Sequence, residues 1–198
     1  MKWDKIKFGN YYQSIKEFET NPIKWRILSI SDDGTDALLI SDKVLDYKPF
    51  NETYREFAWD TSTVREWLNG DFYNTAFSEE EQLEIKATTI IGDNNEDSIT
   101  DKIYLLSSED ACCATYGFDT TFNTNTISKT RAVKATDYSC QNGASRASSY
   151  DKIGNVPWLL RSPGTYMNSV AGVYYDGESF STDSYVDCGI RPVIHIKK

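Results

Sequence analysis

Hydrophobic and polar positions alternate most clearly near the N-terminus. In "IKWRILSI", Ile23, Trp25, Ile27 and Ser29 fall on one side of an extended chain, and Lys24, Arg26, Leu28 and Ile30 on the other. The turn-forming "DDGTD" leads into "ALLISDKVL", an apolar run short enough for a buried strand. The pattern predicts a hairpin pairing Ile23–Ser31 with Asp36–Ser41. The period then changes. "DTSTVREWLNGDFYNTAF" offers Thr61 or Ser62 as a helix N-cap, with Val64, Trp67 and Leu68 at i, i+3, i+4 spacing and Asn69-Gly70 to end or bend the helix. In "SEEEQLEI", Ser78 and Glu81 have capping-box spacing, with Leu83 and Ile85 in the next turn. The acidic run Glu79–Glu81 is accounted for by a helix N-terminus, which favours negative charge.

"DKIYLLSSEDACC" reads as a strand, Ile103 to Leu106, entering a helix capped by Ser107 or Ser108. From Gly117 to Asn155 the chain becomes rich in Ser, Thr, Asn and Gly and loses its periodicity, and irregular segments of that length are usually functional or mobile. Strand patterning then resumes in "PWLLRSPG", in "VAGVYYDGESFS" with Asp176-Gly177 as its turn, and in "CGIRPVIHIKK". In the last of these, Ile190, Ile194 and Ile196 are expected on one face, Arg191, Val193 and His195 on the other, with Pro192 marking an edge or a bulge. Strands, helices, loop and strands in that order predict an α+β domain spanning residues 1–198, with a mainly antiparallel sheet, two or three short helices and a long irregular loop region.

Composition narrows the function classes. Apolar residues at 39% suffice for a core, and the formal net charge of −9 argues against a nucleic acid as partner, because phosphate binding rests on clustered Lys and Arg. No apolar run approaches the roughly 18–20 residues that cross a bilayer. "MKWDKIKFGN" has no apolar leader region, so the expected compartment is the cytoplasm unless a leader has been removed. Cys112, Cys113, Cys140 and Cys188 match no zinc spacing, His195 is the one histidine, and a Cys140–Cys188 disulfide would require an oxidising compartment.

The sequence contains no phosphate-cradling glycine loop and no nucleophile elbow. His195 lies between two isoleucines in a strand pattern, which suits a strand-face residue better than a catalytic base. Asp93, Asn95 and Asp97 alternate as a calcium loop would begin, but Ser98 stands where an EF-hand needs glycine and Tyr104 where it needs glutamate. A solvated polar turn is the expectation there, with a calcium site of another type as the alternative and no other cofactor indicated. Nothing in these patterns supports assigning an enzyme.

The motifs "FGNYYQS", "IKWRIL", "ALLIS", "WDTSTVREWLNGDFYNTAFSEEE", "TDKIYLLSSEDA", "WLLRSPG" and "GIRP" follow one another along nearly the whole chain. In this order they resemble a family of uncharacterised bacterial domains that has no settled biochemical function. More distantly, the Arg-bearing strand, hairpin and final G-x-R strand look like the C-type-lectin-like fold, including its formylglycine-generating branch. The lectins' Glu-Pro-Asn and Trp-Asn-Asp motifs are absent, and the paired catalytic cysteines of the formylglycine enzymes have no counterpart. The resemblance therefore implies a fold, and fold does not determine function.

Arg161 and Arg191 are read as structural, tying sheet to loops through carboxylate or carbonyl partners, with a paired anion site as the alternative. The expected function is a non-catalytic module that binds a glycan or protein ligand through the long loop and the hairpin. Tyr174, Tyr175 and Asp176, with Tyr138 and Asp137 from the loop, are the candidate ligand-binding residues, since exposed tyrosines stack on sugars and anchor partners. An enzyme of the formylglycine-generating type and a structural or protein-interaction domain are the alternatives. The oligomeric state is left open.

Overall fold

The computed structural model describes residues 4–16, 19–91, 98–148 and 152–197. Its first four strands are β1 (Lys5–Tyr12), β2 (Thr20–Ile30), β3 (Asp36–Ser41) and β4 (Asp46–Lys48). The expected hairpin is β2–β3, antiparallel, with Arg26 opposite Ile40 and Ile27 opposite Leu39 before a bulge. Ile23 and Trp25 are fully buried, which leaves Lys24 on the outer face. β1 adds to the free side of β2, with Lys5 opposite Arg26 and Lys7 opposite Lys24.

Helix α1 (Thr63–Trp67) is capped by the Ser62 side chain, which accepts from the Arg65 N–H. Asn69-Gly70 does not end the helix. The chain widens into a π turn over Leu68–Phe72 and continues as α2 (Tyr73–Ala76). The reason lies outside the helix. Asn69 donates to the carbonyls of Arg65 and Ile103, and its Oδ1 accepts from the N–H groups of Lys102 and Ile103. One amide side chain thus satisfies the edge of a neighbouring strand. In α3 (Glu79–Glu84) both halves of the Ser78–Glu81 capping box form, and Glu81 Oε1 also accepts from the N–H of Gly9 on β1. Leu83 is nevertheless 78% exposed, whereas Ile85 is buried against the sheet.

Three short strands follow: β5 (Thr88–Ile90), paired with β6 (Ile99–Asp101), and β7 (Ile103–Tyr104). Ser107 caps the next turn by exchanging hydrogen bonds with Asp110. The expected helix is replaced by two 3₁₀ turns, Asp110–Cys112 and Ala114–Tyr116. Among its described residues the Ser/Thr/Asn-rich stretch holds one helix, α4 (Asp137–Gln141); a bridge ties Ala135 to Val44, between β3 and β4, and another ties Lys134 to Asn155 within the stretch. β8 (Trp158–Pro163), β9 (Ser169–Val173) and β10 (Ser179–Asp183) form a meander whose second connection is the expected Asp176-Gly177 turn.

The "CGIRPVIHIK" segment departs from its expected form as one alternating strand. β11 (Cys188–Ile190) lies between β8 and β4, and β12 (Val193–Lys197) lies between β3 and β7. The chain leaves one sheet and enters the other at Arg191-Pro192. Proline cannot donate to a ladder, so the break falls at a residue that has no N–H to leave unpaired. The result is two five-stranded sheets, ordered β1-β2-β3-β12-β7 and β10-β9-β8-β11-β4. Pairing is antiparallel except where β11 meets β8. The architecture is α+β with mainly antiparallel sheets, and buried side chains from both sheets and the helices form one apolar cluster. Among the described residues, no helix is long and apolar enough to cross a membrane.

Candidate functional site

A buried carboxylate organises one wall of a cleft. Asp46, at the start of β4, is 2% exposed and accepts from three donors: the Tyr11 hydroxyl at 2.7 Å, the Asn142 side chain at 3.1 Å and the Tyr47 N–H at 2.8 Å. Burial first, and then the neighbouring Asp46, push the Tyr11 hydroxyl far above its ordinary pKa, so it remains a donor. Asp46 therefore fixes β1 and the end of α4 with respect to each other. A second tie comes from the Gln13 carbonyl, which accepts from the N–H groups of Asp137 and Tyr138. Thr136 caps α4 by accepting from the Ser139 N–H.

Between these elements lies a cleft of about 310 Å³, lined by Tyr12, Ser14, Ile15, Lys16, Tyr138, Gln141 and Asn142. The Tyr12 and Tyr138 rings lie 5.2 Å apart with 36° between their planes, and Tyr11 packs edge-on against Tyr138 at 5.9 Å. Aromatic faces backed by a packed ring cluster present rigid apolar area at little entropic cost. Beside them are two primary amides, a hydroxyl and an ammonium group. This combination suits a ligand with both C–H faces and hydroxyls.

The expected site residues do not gather in one place. Tyr138 lines the cleft, and Asp137 stands beside it, exposed and ion-paired with Arg146. Tyr174 is 42% exposed and packs edge-on against Tyr175, in the turn between β9 and β10. Asp176 is buried and engaged: it pairs with Lys152, accepts from the Glu178 N–H, and its carbonyl accepts from the Ser128 N–H. The Lys152 and Glu178 hydrogen bonds hold its carboxyl below the usual range despite burial, which acts in the opposite direction. Asp93, Asn95 and Asp97 lie outside the described residues. Among the described residues, no group of three or more His, Cys, Asp or Glu side chains is placed to hold a metal.

The arginines separate by environment. Arg161 is half-buried and donates to the Ile91 carbonyl and to Asp110, both at 3.3 Å. Arg191 is fully buried at the crossing between sheets, with Nε on the Ser41 carbonyl at 2.8 Å and its guanidinium stacked 4.9 Å over Trp158. Sequence reasoning missed the third, Arg131, in the irregular stretch. Its guanidinium donates to the carbonyls of Gly177, Ala111, Asp119 and Thr121 and stacks on Phe122. It also missed Tyr12, Asp46, Gln141 and Asn142. All four cysteines are free thiols. Cys188 is buried in β11, and burial pushes its thiol up to about 12.

No curated protein matches the chain, and no solved structure does. The family model described as "Domain of unknown function (DUF6273)" matches residues 34–198, which include every cleft residue except those contributed by β1 and the link that follows it. The chain belongs to this family of uncharacterised domains.

Proposed function

We propose that the chain is a non-catalytic carbohydrate-binding module of C-type-lectin-like fold, and that the cleft between β1 and α4 is its sugar site. The observation that carries this reading is the pair of tyrosine rings, Tyr12 and Tyr138, set beside Gln141 and Asn142 in one cleft. Sugar rings offer C–H faces to aromatic planes and hydroxyls to amides, and a cleft of roughly 300 Å³ is within the range for small ligands. Asn142 is held by Asp46, so its orientation is set before a ligand arrives.

The formylglycine-type alternative needs an accessible thiolate at Cys188 or another cysteine, and burial raises the thiols of both Cys188 and Cys140, which leaves Cys112 and Cys113 to support it. A protein-interaction reading has its own support in the exposed Tyr54, Tyr166, Met167 and Tyr185, with Tyr54 and Tyr185 rings 5.9 Å apart.

The test is a broad glycan array followed by titration calorimetry on whatever binds. Tyr12→Ala and Tyr138→Ala are each expected to weaken binding about tenfold, the loss of one stacked ring, while circular dichroism remains native. Tyr138→Phe keeps the ring and retains binding. Glycan binding that neither alanine substitution weakens, or no binding across the array, would overturn the proposal.

A further inference from the structure

On the far side of Gln13 from the tyrosine cleft lies a second concavity, also of about 310 Å³, lined by Lys7, Gln13, Lys24, Asp42 and Lys43 among others. Consecutive residues of the chain contribute to both. Tyr12 and Ser14 line the first, the Gln13 side chain lines the second, and the Gln13 carbonyl binds the Asp137 and Tyr138 N–H groups. The charge here runs against that of the chain as a whole, whose formal net charge is −9.

Lys5, Lys7, Lys24 and Arg26 occupy facing positions on β1 and β2, as the cross-strand pairs Lys5–Arg26 and Lys7–Lys24. The first pair shares a carboxylate: Asp42 accepts from Lys5 Nζ at 2.9 Å and from Arg26 Nε at 2.7 Å. Those two hydrogen bonds hold the Asp42 carboxyl below its ordinary range against the opposing effect of burial. The second pair has no such neutraliser. Lys7, Lys24 and Lys43 are exposed and make no ion pair with any described residue. Like charges directly opposite in an antiparallel pair are destabilising. Lysine on an edge strand discourages strand addition, which would account for Lys7 on β1. It does not account for Lys24 on the interior strand β2, or for Lys43 reaching the same concavity from beyond β3.

We infer that Lys7, Lys24 and Lys43 form an anion subsite next to the tyrosine cleft, and that the ligand is an acidic glycan carrying an isolated carboxylate or sulfate beside the stacked sugar. This rests on the carbohydrate reading of the cleft and names its ligand class. The overall negative field repels a dense polyanion such as a nucleic acid. Within a Debye length of roughly 8 Å, however, three lysines attract one nearby acid group.

The test compares a glucuronate-containing hexasaccharide with a neutral N-acetylglucosamine oligomer of equal length, titrated into the full chain at two salt concentrations. The acidic probe is expected to bind at least about tenfold more tightly, with an affinity that falls as salt rises. The triple variant Lys7→Gln, Lys24→Gln, Lys43→Gln should lose that advantage, keep its affinity for the neutral probe within about twofold, and melt no lower than the parent, because it removes repulsion. Equal affinity for the two probes in the parent, or an unchanged preference in the triple variant, overturns the anion subsite and leaves the sugar cleft standing. Lysine-dependent binding of the acidic probe that survives Tyr12→Ala and Tyr138→Ala overturns the sugar cleft and supports the anion site. Tighter binding of a single-stranded DNA decamer than of the acidic probe overturns the glycan assignment, and failure of both sugar probes to bind overturns both readings.

Discussion

A guanidinium can be held in several ways, and three arginines in this chain show the range. Arg131 is fully buried and has carbonyl partners on the hairpin turn, at Gly177, and on the irregular stretch, at Ala111, Asp119 and Thr121. Lysine has one nitrogen where these partners need a planar fork. Arg131→Lys is therefore expected to lower unfolding free energy by about 3 kcal/mol, from several lost charge-assisted bonds and buried carbonyls left without donors. Arg161→Lys loses two long bonds, both at 3.3 Å, and its cost should be smaller, about 1 kcal/mol. Urea titration of both variants checks the order, and a larger loss at Arg161 would contradict it. The anchoring role anticipated for Arg161 is filled most completely by Arg131. Local sequence could not reveal this, because Arg131 sits among Ser, Thr and Lys with no periodicity, and its partners are carbonyls that every residue carries.

The elements set by neighbours in sequence are the ones that patterning anticipates. The β2–β3 hairpin, the Ser62 cap, the Ser78–Glu81 capping box and the Asp176-Gly177 turn each depend on contacts within a few residues. The π turn at Leu68–Phe72 depends instead on Asn69 reaching Lys102 and Ile103, and nothing near Asn69 in sequence indicates that reach. The Asp-Gly turn also carries a second constraint. Gly177 has a φ of +88°, and a Cβ there would lie 2.0 Å from the Ser128 carbonyl oxygen, so the turn is pressed against the irregular stretch. Gly34, in the other hairpin turn, has a φ of +72° with nothing within 4 Å of its Cβ position. Gly34→Ala is expected to cost about 1 kcal/mol from backbone strain alone. Gly177→Ala adds a backbone clash, for a total of about 3 kcal/mol or more. Thermal unfolding of the pair separates the two contributions, and equal melting temperatures would refute the tight contact at Gly177.

The thiols report on the molecule as a whole. Cys112, Cys113 and Cys140 are partly exposed, whereas Cys188 is 3% exposed in an interior strand of its sheet. A thiol reagent at about pH 8 is expected to reach Cys112 and Cys113 readily, Cys140 more slowly because burial raises its thiol, and Cys188 only as fast as the protein unfolds globally. Rapid reaction of all four would show that β11 opens on its own. Because the folded thiol lies at about 12, above its unfolded value near 9, its contribution to stability is complete below about pH 9 and is lost as pH rises towards 12. The candidate cleft was legible only in part. Tyr138 was among the expected ligand residues, but its ring partner Tyr12 comes from β1, and the Asp46 that fixes Asn142 lies 96 residues away from it in sequence. Which side chains meet there depends on sheet order, and hydropathy patterns do not encode sheet order.

The passage of the chain between sheets at Arg191-Pro192 bears on when this protein can fold. β11 is flanked on both sides within its sheet, and so is β12 within the other. Until residues 188–197 have left the ribosome, each sheet therefore lacks an inner member, and β4 and β7 have no strand partner. β4 and β7 alone depend on these two strands for pairing, and completing either sheet brings the other's missing strand to within a two-residue tether. The two sheets should consequently be completed in a single cooperative step, once residues 188–197 are available to both.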